Sequence, residues 1–306
     1  MFRSWRSNIG NGFIDIGLEW IIKECCPHAE VIRVGTPRIL PSVLEGTSWR
    51  TFLPRKLLPQ SIREVLRRRL IMEAKIPFEY AQYIGNIDIV FVGGNIFTGY
   101  IDIFIPLLLR LKEKGSKIVL CGVGGDTYSS IEQKESRAFL AKLKPDIFIS
   151  RDLISYQLYS NFGKYSWNGI DCAYFVSEAY QSIKIKKNYI VANFDNIKEP
   201  NIPNPENLPI VRTHHTYFIK REWVKQSNFF ISDFPEDYLN MYANAQLIFT
   251  DRIHTSVVAK AYGRPYRFFG KTKRISVLER VEGKSLQKEK QEEIKFLKDA
   301  LEEILK

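Results

Sequence analysis

The 306-residue chain is poor in cysteine and histidine, with four residues of each. Cys25 and Cys26 are adjacent and no CxxC pair occurs, so the spacing does not predict a disulfide framework. Cys121 lies inside the apolar run Lys117–Val123, where we expect it to be a small buried hydrophobic residue. This cysteine usage favours a reducing, cytoplasmic compartment.

Long apolar segments are also absent. The longest one, near Ile101–Leu111, is interrupted by Asp102, Pro106 and Arg110, and it is too short to span a bilayer. The amino-terminal residues are basic but contain no apolar core of a signal peptide, so we expect none.

The chain has fewer acidic than basic residues. It contains 34 Asp and Glu and 45 Lys and Arg, which gives a formal net charge of +11. A basic surface favours phosphates, acidic glycans, anionic lipid headgroups or nucleic acid as partners. Gln60–Ala74 predicts a basic amphipathic helix with a solvated face. The alternative is peripheral docking of Arg55–Arg69 on the inner face of an anionic membrane or on a lipid-linked acceptor. No aromatic-interleaved basic motif supports nucleic acid, which we do not expect to bind.

Apolar strands alternate with amphipathic helices in the first half of the chain. The pattern predicts strands over Ile87–Val92, Lys117–Val123 and Asp146–Ser150, with helices over Ile101–Lys114 and Glu132–Leu143 between them. Continuous apolar strands flanked by helices are typical of a buried parallel sheet. Glycine or charged residues follow each strand, at the carboxyl edge where open α/β sheets bind ligands.

A second alternation follows a proline-rich interruption at residues 198–209. Its predicted strands are Tyr189–Phe194, Pro209–Thr213, Gln246–Thr250 and Tyr266–Phe269, and its predicted helices are Pro235–Ala243, Thr255–Tyr262 and Leu286–Leu305. We therefore predict two facing α/β domains, residues 1–180 and 181–306, with the last helix able to pack back on the first domain.

The amino-terminal segment Asn8–Asp15 (NIGNGFID) is rich in glycine and precedes a predicted apolar helix over Ile16–Cys25. Glycines permit tight backbone turns, and a helix start offers free N–H groups to an anion. The alternative is a glycine-rich turn that only caps the helix. The segment supplies the candidate ligand-binding residues Asn8, Gly10, Asn11 and Gly12.

Paired glycines end two of the predicted strands, Gly93 and Gly94 in one case, Gly124 and Gly125 in the other. Such pairs let a ligand or another backbone approach the edge of the sheet. Each pair is equally consistent with a tight turn between a strand and a helix.

An arginine, Arg151, ends the third predicted strand and is expected to point into the crevice. Asp152 follows it and can begin the next helix as an N-cap, in which case Arg151 is its ion-pair partner.

A charged cluster, Asp251, Arg252 and His254, lies where a predicted strand passes into a helix. In an extended segment, residues two apart share a face, so Arg252 and His254 are expected to project together. The nearby helix start adds positive potential, which suits a phosphate or a carboxylate. The alternative is a capped helix with a structural ion pair.

These segments together resemble the polysaccharide pyruvyl transferase family. Thr250–His254 (TDRIH), with the VVAKAYGRP that follows, resembles its carboxyl-terminal signature, and Ser150–Asp152 (SRD) its central arginine motif. Asn168–Ala173 (NGIDCA) resembles its Gly-x-Asp-x-Ala stretch, and NIGNGFID its glycine loop. Ile253 stands where the family usually has leucine.

The resemblance implies a glycosyltransferase-B-like architecture, with two Rossmann-like domains facing a cleft. It implies a transferase of cell-surface polysaccharide biosynthesis, with phosphoenolpyruvate as donor and a hydroxyl pair of a glycan or lipid-linked saccharide as acceptor. By motif, it makes Arg151, Arg252 and His254 catalytic or donor-binding candidates and adds Asp171 as a binding candidate. A nucleotide-sugar glycosyltransferase and a non-catalytic anion- or glycan-binding protein of the same fold are the alternatives.

The candidate residues suit this chemistry without a metal or other cofactor. Two arginines can hold the donor's carboxylate and phosphate through charge-assisted hydrogen bonds. An imidazolium can supply a proton, and Asp152, Asp171 or Asp251 can accept one from a sugar hydroxyl. If Arg151 and His254 serve one small donor, their functional atoms should lie on the order of 10 Å apart.

Two adjacent histidines, His214 and His215, follow the predicted strand Pro209–Thr213. Adjacent side chains on a strand point to opposite faces, so the pair does not form a natural chelate. We interpret both as structural, with a contact to the acceptor or to a metal as the alternatives.

Overall fold

The computed structural model describes Met1 and residues 8–34, 85–94, 101–215 and 223–306. The basic helix predicted over Gln60–Ala74, with its membrane-docking alternative at Arg55–Arg69, lies outside the described residues. Within the described ranges, no helix is long and apolar enough to cross a membrane.

The first half contains a four-stranded parallel sheet in the order β1-β2-β3-β4. Its elements are α1 (Ile9–Cys25), β1 (Ile89–Gly94), α2 (Ile101–Glu113), β2 (Lys117–Val123), α3 (Ser130–Leu143), β3 (Ile147–Ser150), α4 (Leu153–Tyr159), β4 (Tyr165–Asn168) and α5 (Val176–Ala179), with a 3₁₀ turn at Cys172–Phe175. The strands are almost wholly buried up to β3, as continuous apolar strands in a parallel sheet should be.

The second half contains a five-stranded parallel sheet in the order β7-β6-β5-β8-β9. Its elements are β5 (Ile190–Asn193), β6 (Ile210–Thr213), β7 (Phe229–Phe230), α6 (Pro235–Asn244), β8 (Leu247–Thr250), α7 (Ile253–Ala261), β9 (Tyr266–Phe268), α8 (Ser276–Glu279) and α9 (Leu286–Leu305), with a 3₁₀ turn at Lys273–Ile275. Two separate parallel sheets with intervening helices confirm the predicted α/β fold class. The division at residue 180 stays a prediction.

The largest apolar core of the described residues extends through both halves. It joins Phe13 and Leu18 of α1 to Tyr174 near the middle of the chain, Tyr238 of α6 and Leu301 of α9. Helix α9 contacts both β4 and α1, so the end of the chain packs against elements of the first half. The two sheets therefore share a common interior.

Helix α1 corrects the prediction of a glycine loop ahead of a helix at Ile16. The helix begins at Ile9, and the Asn8 side chain caps it by accepting the Gly10 N–H at 3.0 Å. Gly10 and Gly12 therefore lie inside the first turns of the helix. The cap and close packing outweigh the low helix propensity of glycine, because a Cβ atom at Gly12 would overlap Pro235 of α6.

Gly17, in the middle of α1, has the least space of these glycines. A Cβ atom there would overlap the backbone carbonyl oxygen of Cys172. The N–H of Ile9 also donates to the carbonyl oxygen of His215 at 3.0 Å, which fastens the start of α1 to the second half. Helix α1 is thus packed against both halves at backbone distance.

We expect Gly17→Ala to lower the free energy of unfolding by about 2–3 kcal/mol, because a backbone carbonyl cannot rotate away from the added methyl group. Urea denaturation of the full chain would measure the effect. Gly85→Ala is the control, since a Cβ atom at Gly85 meets nothing within 4 Å. Equal stability of the two variants would contradict the packing described for α1.

Candidate functional site

The carboxyl edges of the two sheets meet at one buried carboxylate, that of Asp171. Arg151, directly after β3, places Nη1 3.5 Å from Asp171 Oδ2. His254, in the first turn of α7, places Nε2 3.7 Å from the same oxygen. Arg151 and His254 therefore lie within reach of one small ligand, although more than a hundred residues separate them in the sequence.

The guanidinium of Arg151 is fully buried and lies between two carboxylates, those of Asp171 and of Asp152, whose Oδ2 is 4.0 Å from Arg151 Nε, but its hydrogen-bonding capacity is only partly used. Its Nη2 donates to the Gly125 carbonyl oxygen at 2.7 Å. No hydrogen bond from the described residues reaches its Nε or Nη1. A Cβ atom at Gly124 would lie 2.5 Å from Nε, so this glycine provides the space for the arginine.

The carboxylate of Asp171 is held by the backbone on one side. Its Oδ1 accepts the Ala173 N–H at 2.9 Å and caps the 3₁₀ turn that follows. Burial acts to raise the pKa of Asp171, but His254, Arg151 and the Ala173 N–H outweigh it and lower this pKa to about 2. Asp171 is therefore an anion at neutral pH.

The imidazole of His254 is buried beside two arginines. Burial lowers the pKa of His254 to about 4, against the opposing effect of Asp171, and repulsion from Arg274 and Arg151 acts in the same direction as burial. A Cβ atom at Gly10 would lie 2.6 Å from His254 Nδ1, so the start of α1 packs directly on the ring. In the ligand-free protein His254 is neutral at pH 7.

The expectation that Arg252 and His254 share one face of an extended segment is wrong. Strand β8 ends at Thr250 and α7 begins at Ile253, so Arg252 is the N-cap residue and His254 is already helical. Arg252 instead pairs with Asp195, whose Oδ2 lies 3.4 Å from Arg252 Nε.

One cation of this cluster, Arg274, was not among the sequence candidates. Its Nη2 lies 3.4 Å from His254 Nε2, and its Nη1 lies 3.7 Å from Asp126 Oδ1, in the loop after β2. Burial lowers the pKa of Arg274 to about 10, assisted by repulsion from Arg151 and Arg252. The only sequence signal is the basic run that follows β9, which does not show that this arginine faces the other half.

Two of the three aspartates considered as proton acceptors hold local backbone instead. Asp251 accepts the N–H groups of Asp195, Asn196 and Ile197 at 3.1, 2.6 and 2.9 Å. Asp152 caps α4 by accepting the Ser155 N–H at 2.7 Å and also accepts the Tyr128 hydroxyl at 2.5 Å. Their carboxylates are already occupied, which favours the structural alternative for both.

Most of the predicted ligand-binding glycines provide space for protein groups. A Cβ atom at Gly93 would lie 3.0 Å from Leu18 of α1, and one at Gly125 would lie 2.5 Å from Glu132. Gly94 has a positive φ of 80° at the end of β1, where glycine is favoured. The N–H of Asn11 donates to the Asn8 carbonyl oxygen at 2.9 Å within the start of α1.

The two adjacent histidines have separate protein partners. His214 Nδ1 lies 2.9 Å from Asp195 Oδ1, and the ring stacks on Trp223 with centroids 3.6 Å apart. His215 Nε2 lies 2.6 Å from the Tyr242 hydroxyl, and burial lowers the pKa of His215 to about 3. In the part of the chain that the structure describes, no group of three or more His, Cys, Asp or Glu residues could hold a metal ion.

Apart from the segment of Arg274, the segments that build this cluster fall within a single family match. The family model described as polysaccharide pyruvyl transferase matches residues 8–270. The chain belongs to the polysaccharide pyruvyl transferase family. The resemblance seen in the sequence is thereby confirmed, and the match includes Arg151, Asp171, Arg252 and His254 but ends before Arg274.

No curated protein matches the chain, and the solved structures that do match share little sequence with it. An uncharacterized protein from Klebsiella pneumoniae is similar at 12% identity with a TM-score of 0.47, over 91% of this chain and 86% of that one. UDP-N-acetylglucosamine 2-epimerase from Rickettsia bellii is similar at 12% sequence identity with a TM-score of 0.47, over 95% of this chain and 92% of that one. The MnaA–UDP structure from S. aureus is similar at 14% sequence identity with a TM-score of 0.45, over 86% of this chain and 77% of that one.

The electrostatic balance at His254 predicts opposite effects for two substitutions. Asp171→Asn should lower the pKa of His254 further, because the carboxylate stabilises the imidazolium, whereas Arg274→Met should raise it by removing a repulsive charge. Histidine NMR titration would measure both. Lys273→Met, at an exposed neighbouring position, is the control. Shifts in the same direction for the Asp171→Asn and Arg274→Met proteins would contradict the described arrangement.

Proposed function

We propose that this family member transfers a pyruvyl group from phosphoenolpyruvate to a hydroxyl pair of a glycan or lipid-linked saccharide. The observation that carries the proposal is the buried guanidinium of Arg151, two nitrogens of which receive no hydrogen-bond partner from the described residues, beside a neutral, buried His254. Buried donors without partners are costly, and an anionic ligand would satisfy them.

The charges of the cluster fit a small ligand with two anionic groups. Arg151 comes from the first sheet, whereas Arg252, His254 and Arg274 come from the second, so a ligand between them meets positive groups on both sides. Phosphoenolpyruvate carries a carboxylate and a phosphate within a few bonds. Guanidinium groups bind both kinds of anion through paired hydrogen bonds, so the cluster suits an anionic donor of this kind.

In the proposed reaction, the methylene carbon of the donor takes a proton and the neighbouring carbon becomes an oxocarbenium-like centre. One sugar hydroxyl oxygen bonds to that carbon, phosphate leaves with the electron pair of its C–O bond, and the second hydroxyl closes the ketal. The two hydroxyl protons balance the one gained by the methyl group and the one gained by phosphate. No external oxidant or reductant is needed.

His254 is the residue we assign to proton transfer, with Asp171 as its partner. Burial keeps the ring neutral in the free protein, but a bound donor brings negative charge that favours the imidazolium. Asp171, already an anion, then stabilises the charged ring. Binding of the donor would thus protonate His254, and the imidazolium could then act as the general acid.

We further propose that the reaction takes place in the cytoplasm, as part of the assembly of a cell-surface polysaccharide. The cysteines support this compartment, since all four are free thiols and Cys121 and Cys172 lie fully buried. The family's acceptors support a saccharide rather than a protein substrate.

Calorimetry should show that phosphoenolpyruvate binds more tightly than UDP- or GDP-sugars and more tightly than inorganic phosphate. Binding at pH 7 should take up protons, detected as a dependence of the binding enthalpy on the buffer's heat of ionisation, because the pKa of His254 rises from about 4. His254→Gln should abolish this uptake. Tight nucleotide-sugar binding without phosphoenolpyruvate binding would overturn the proposal.

Arg252→Lys tests the guanidinium on the second sheet. Lysine keeps the charge but loses the planar fork, so the donor should bind about 10-fold more weakly or worse, given about 1.5–3 kcal/mol for a hydrogen bond to a charged group. Arg267→Lys, at an exposed position on β9, is the matched control. Unchanged donor affinity and turnover in the Arg252→Lys protein would remove Arg252 from the site.

A further inference from the structure

The backbone immediately before Asp171 is held by residues from the end of the chain. Arg280 Nη2 donates to the Asn168 carbonyl oxygen at 2.6 Å, and Glu293 Oε2 accepts the Ile170 N–H at 2.7 Å. Between these two contacts, a Cβ atom at Gly169 would overlap Glu293 Oε2. The approach of the chain to Asp171 is therefore fixed by the segment that contains α8 and α9.

We propose that Glu293, on α9, is a positioning residue of the donor site. Through Ile170 it fixes Asp171, and through Asp171 it sets how His254 responds to a bound anion. The effect on donor binding rests on the proposed function, whereas the effect on His254 itself can be measured without any donor.

The surroundings of Glu293 explain why its charge matters. Glu293 is fully buried, and its Oε1 receives no hydrogen bond from the described residues. The ionisable groups around it are Arg280, Asp171, Glu289, Cys121 and Cys172. Arg280 contacts Glu289 at 2.7 Å through the same Nη2 that donates to Asn168, and its Nε and Nη1 make no hydrogen bond to Glu293. A charge on Glu293 would therefore be poorly compensated.

Glu293 consequently switches between two forms close to neutral pH. Burial raises the pKa of Glu293 to about 8, with added repulsion from Asp171 and Glu289, while the Ile170 N–H and Arg280 oppose the rise. His254 and Asp171 have pKa values of about 4 and 2, and Arg274 of about 10. Between pH 7 and 9, Glu293 is thus the member of this cluster that ionises, and its new charge lies next to Asp171.

Substitutions at Glu293 leave other attachments of α9 in place. Lys290 Nζ contacts Glu178 at 2.8 Å and Ser177 at 3.1 Å, and Lys298 Nζ contacts Glu24 at 2.7 Å. These contacts fasten the helix to α5 and α1 on either side of Glu293. A change of donor affinity in a Glu293 variant therefore does not require the helix to detach.

The first test compares Glu293→Gln with Glu293→Leu in phosphoenolpyruvate calorimetry on the full chain. Glutamine keeps a neutral acceptor for the Ile170 N–H, so affinity at pH 7 should stay close to that of the unsubstituted protein. Leucine removes the acceptor and releases the backbone before Asp171, so affinity should fall about tenfold, as expected for the loss of one buried hydrogen bond, worth about 1.5 kcal/mol. Glu292→Gln, at the neighbouring exposed position, is the control.

The pH profile separates positioning from simple packing. The unsubstituted protein should lose donor affinity between pH 7 and 9 as Glu293 ionises, and Glu293→Gln should lose less. The stability of the two proteins should diverge over a lower range, between about pH 4.5 and 8. A raised pKa gives stability that is present below the ordinary pKa near 4.5 and is lost as pH rises through about 8, so Glu293→Gln should gain in relative melting temperature across that window.

A donor-free measurement distinguishes failure of this inference from failure of the proposed function. With four histidines in the chain, the His254 resonance can be assigned from His254→Gln and titrated in each variant. Glu293→Leu should lower the pKa of His254, because Asp171 moves away from the ring, and Glu293→Gln should leave it unchanged. Absence of donor binding in every protein, with these pKa values as expected, would refute only the proposed function. An unchanged His254 pKa in Glu293→Leu, or parallel melting curves for Glu293→Gln and the unsubstituted protein, would overturn the role of Glu293.

Discussion

Positive charge held out of water is the constraint around which this molecule is organised. Arg151 and the imidazole of His254 both lie beside the carboxylate of Asp171, and Arg274 contacts the other side of that imidazole. Removal of a cation from water is costly, and the carboxylates of Asp152 and Asp171 beside Arg151, and of Asp126 beside Arg274, offset only part of this cost. The cluster meets this cost by leaving His254 uncharged and by leaving nitrogens of Arg151 without hydrogen bonds from the described residues. Both features leave the site able to bind an additional anion.

Much of the surrounding structure serves to keep these groups in place. The loops after β3, β5 and β8 are tied down by Asp152 and Asp251, whose carboxylates accept backbone N–H groups. Gly124 leaves room for Arg151, and Gly10 leaves room for His254. Asp152 and Asp251, which the sequence suggested as proton acceptors, thus stabilise loops. Gly10 and Gly124, which the sequence suggested as ligand contacts, provide room for the side chains of the site.

The sequence predicted the alternating strands and helices of the fold better than the contacts of the candidate site. Helix α9 was predicted with its observed bounds of Leu286–Leu305, because its apolar residues repeat with helical period over five turns. The start of α1 was missed, because the packing that stabilises Gly12 in a helix comes from Pro235, more than two hundred residues away. The same reason applies to Arg274 and Glu293. Their roles depend on contacts with residues that are distant in the sequence, such as Asp126 for Arg274 and Ile170 for Glu293. A local sequence pattern does not contain this information.

Helix α1 also bears on how such a molecule can move. Gly12 meets Pro235 of the second half, and Gly17 meets the carbonyl of Cys172, with no room for even a methyl group at either place. Separation of the two sheets would break this dense packing, because α1 contacts elements of both halves. The start of α1 is held by residues of the second half, and its middle is held by residues of the first half. Access to Arg151 and His254 would then depend on the side chains and loops around them rather than on separation of the two sheets.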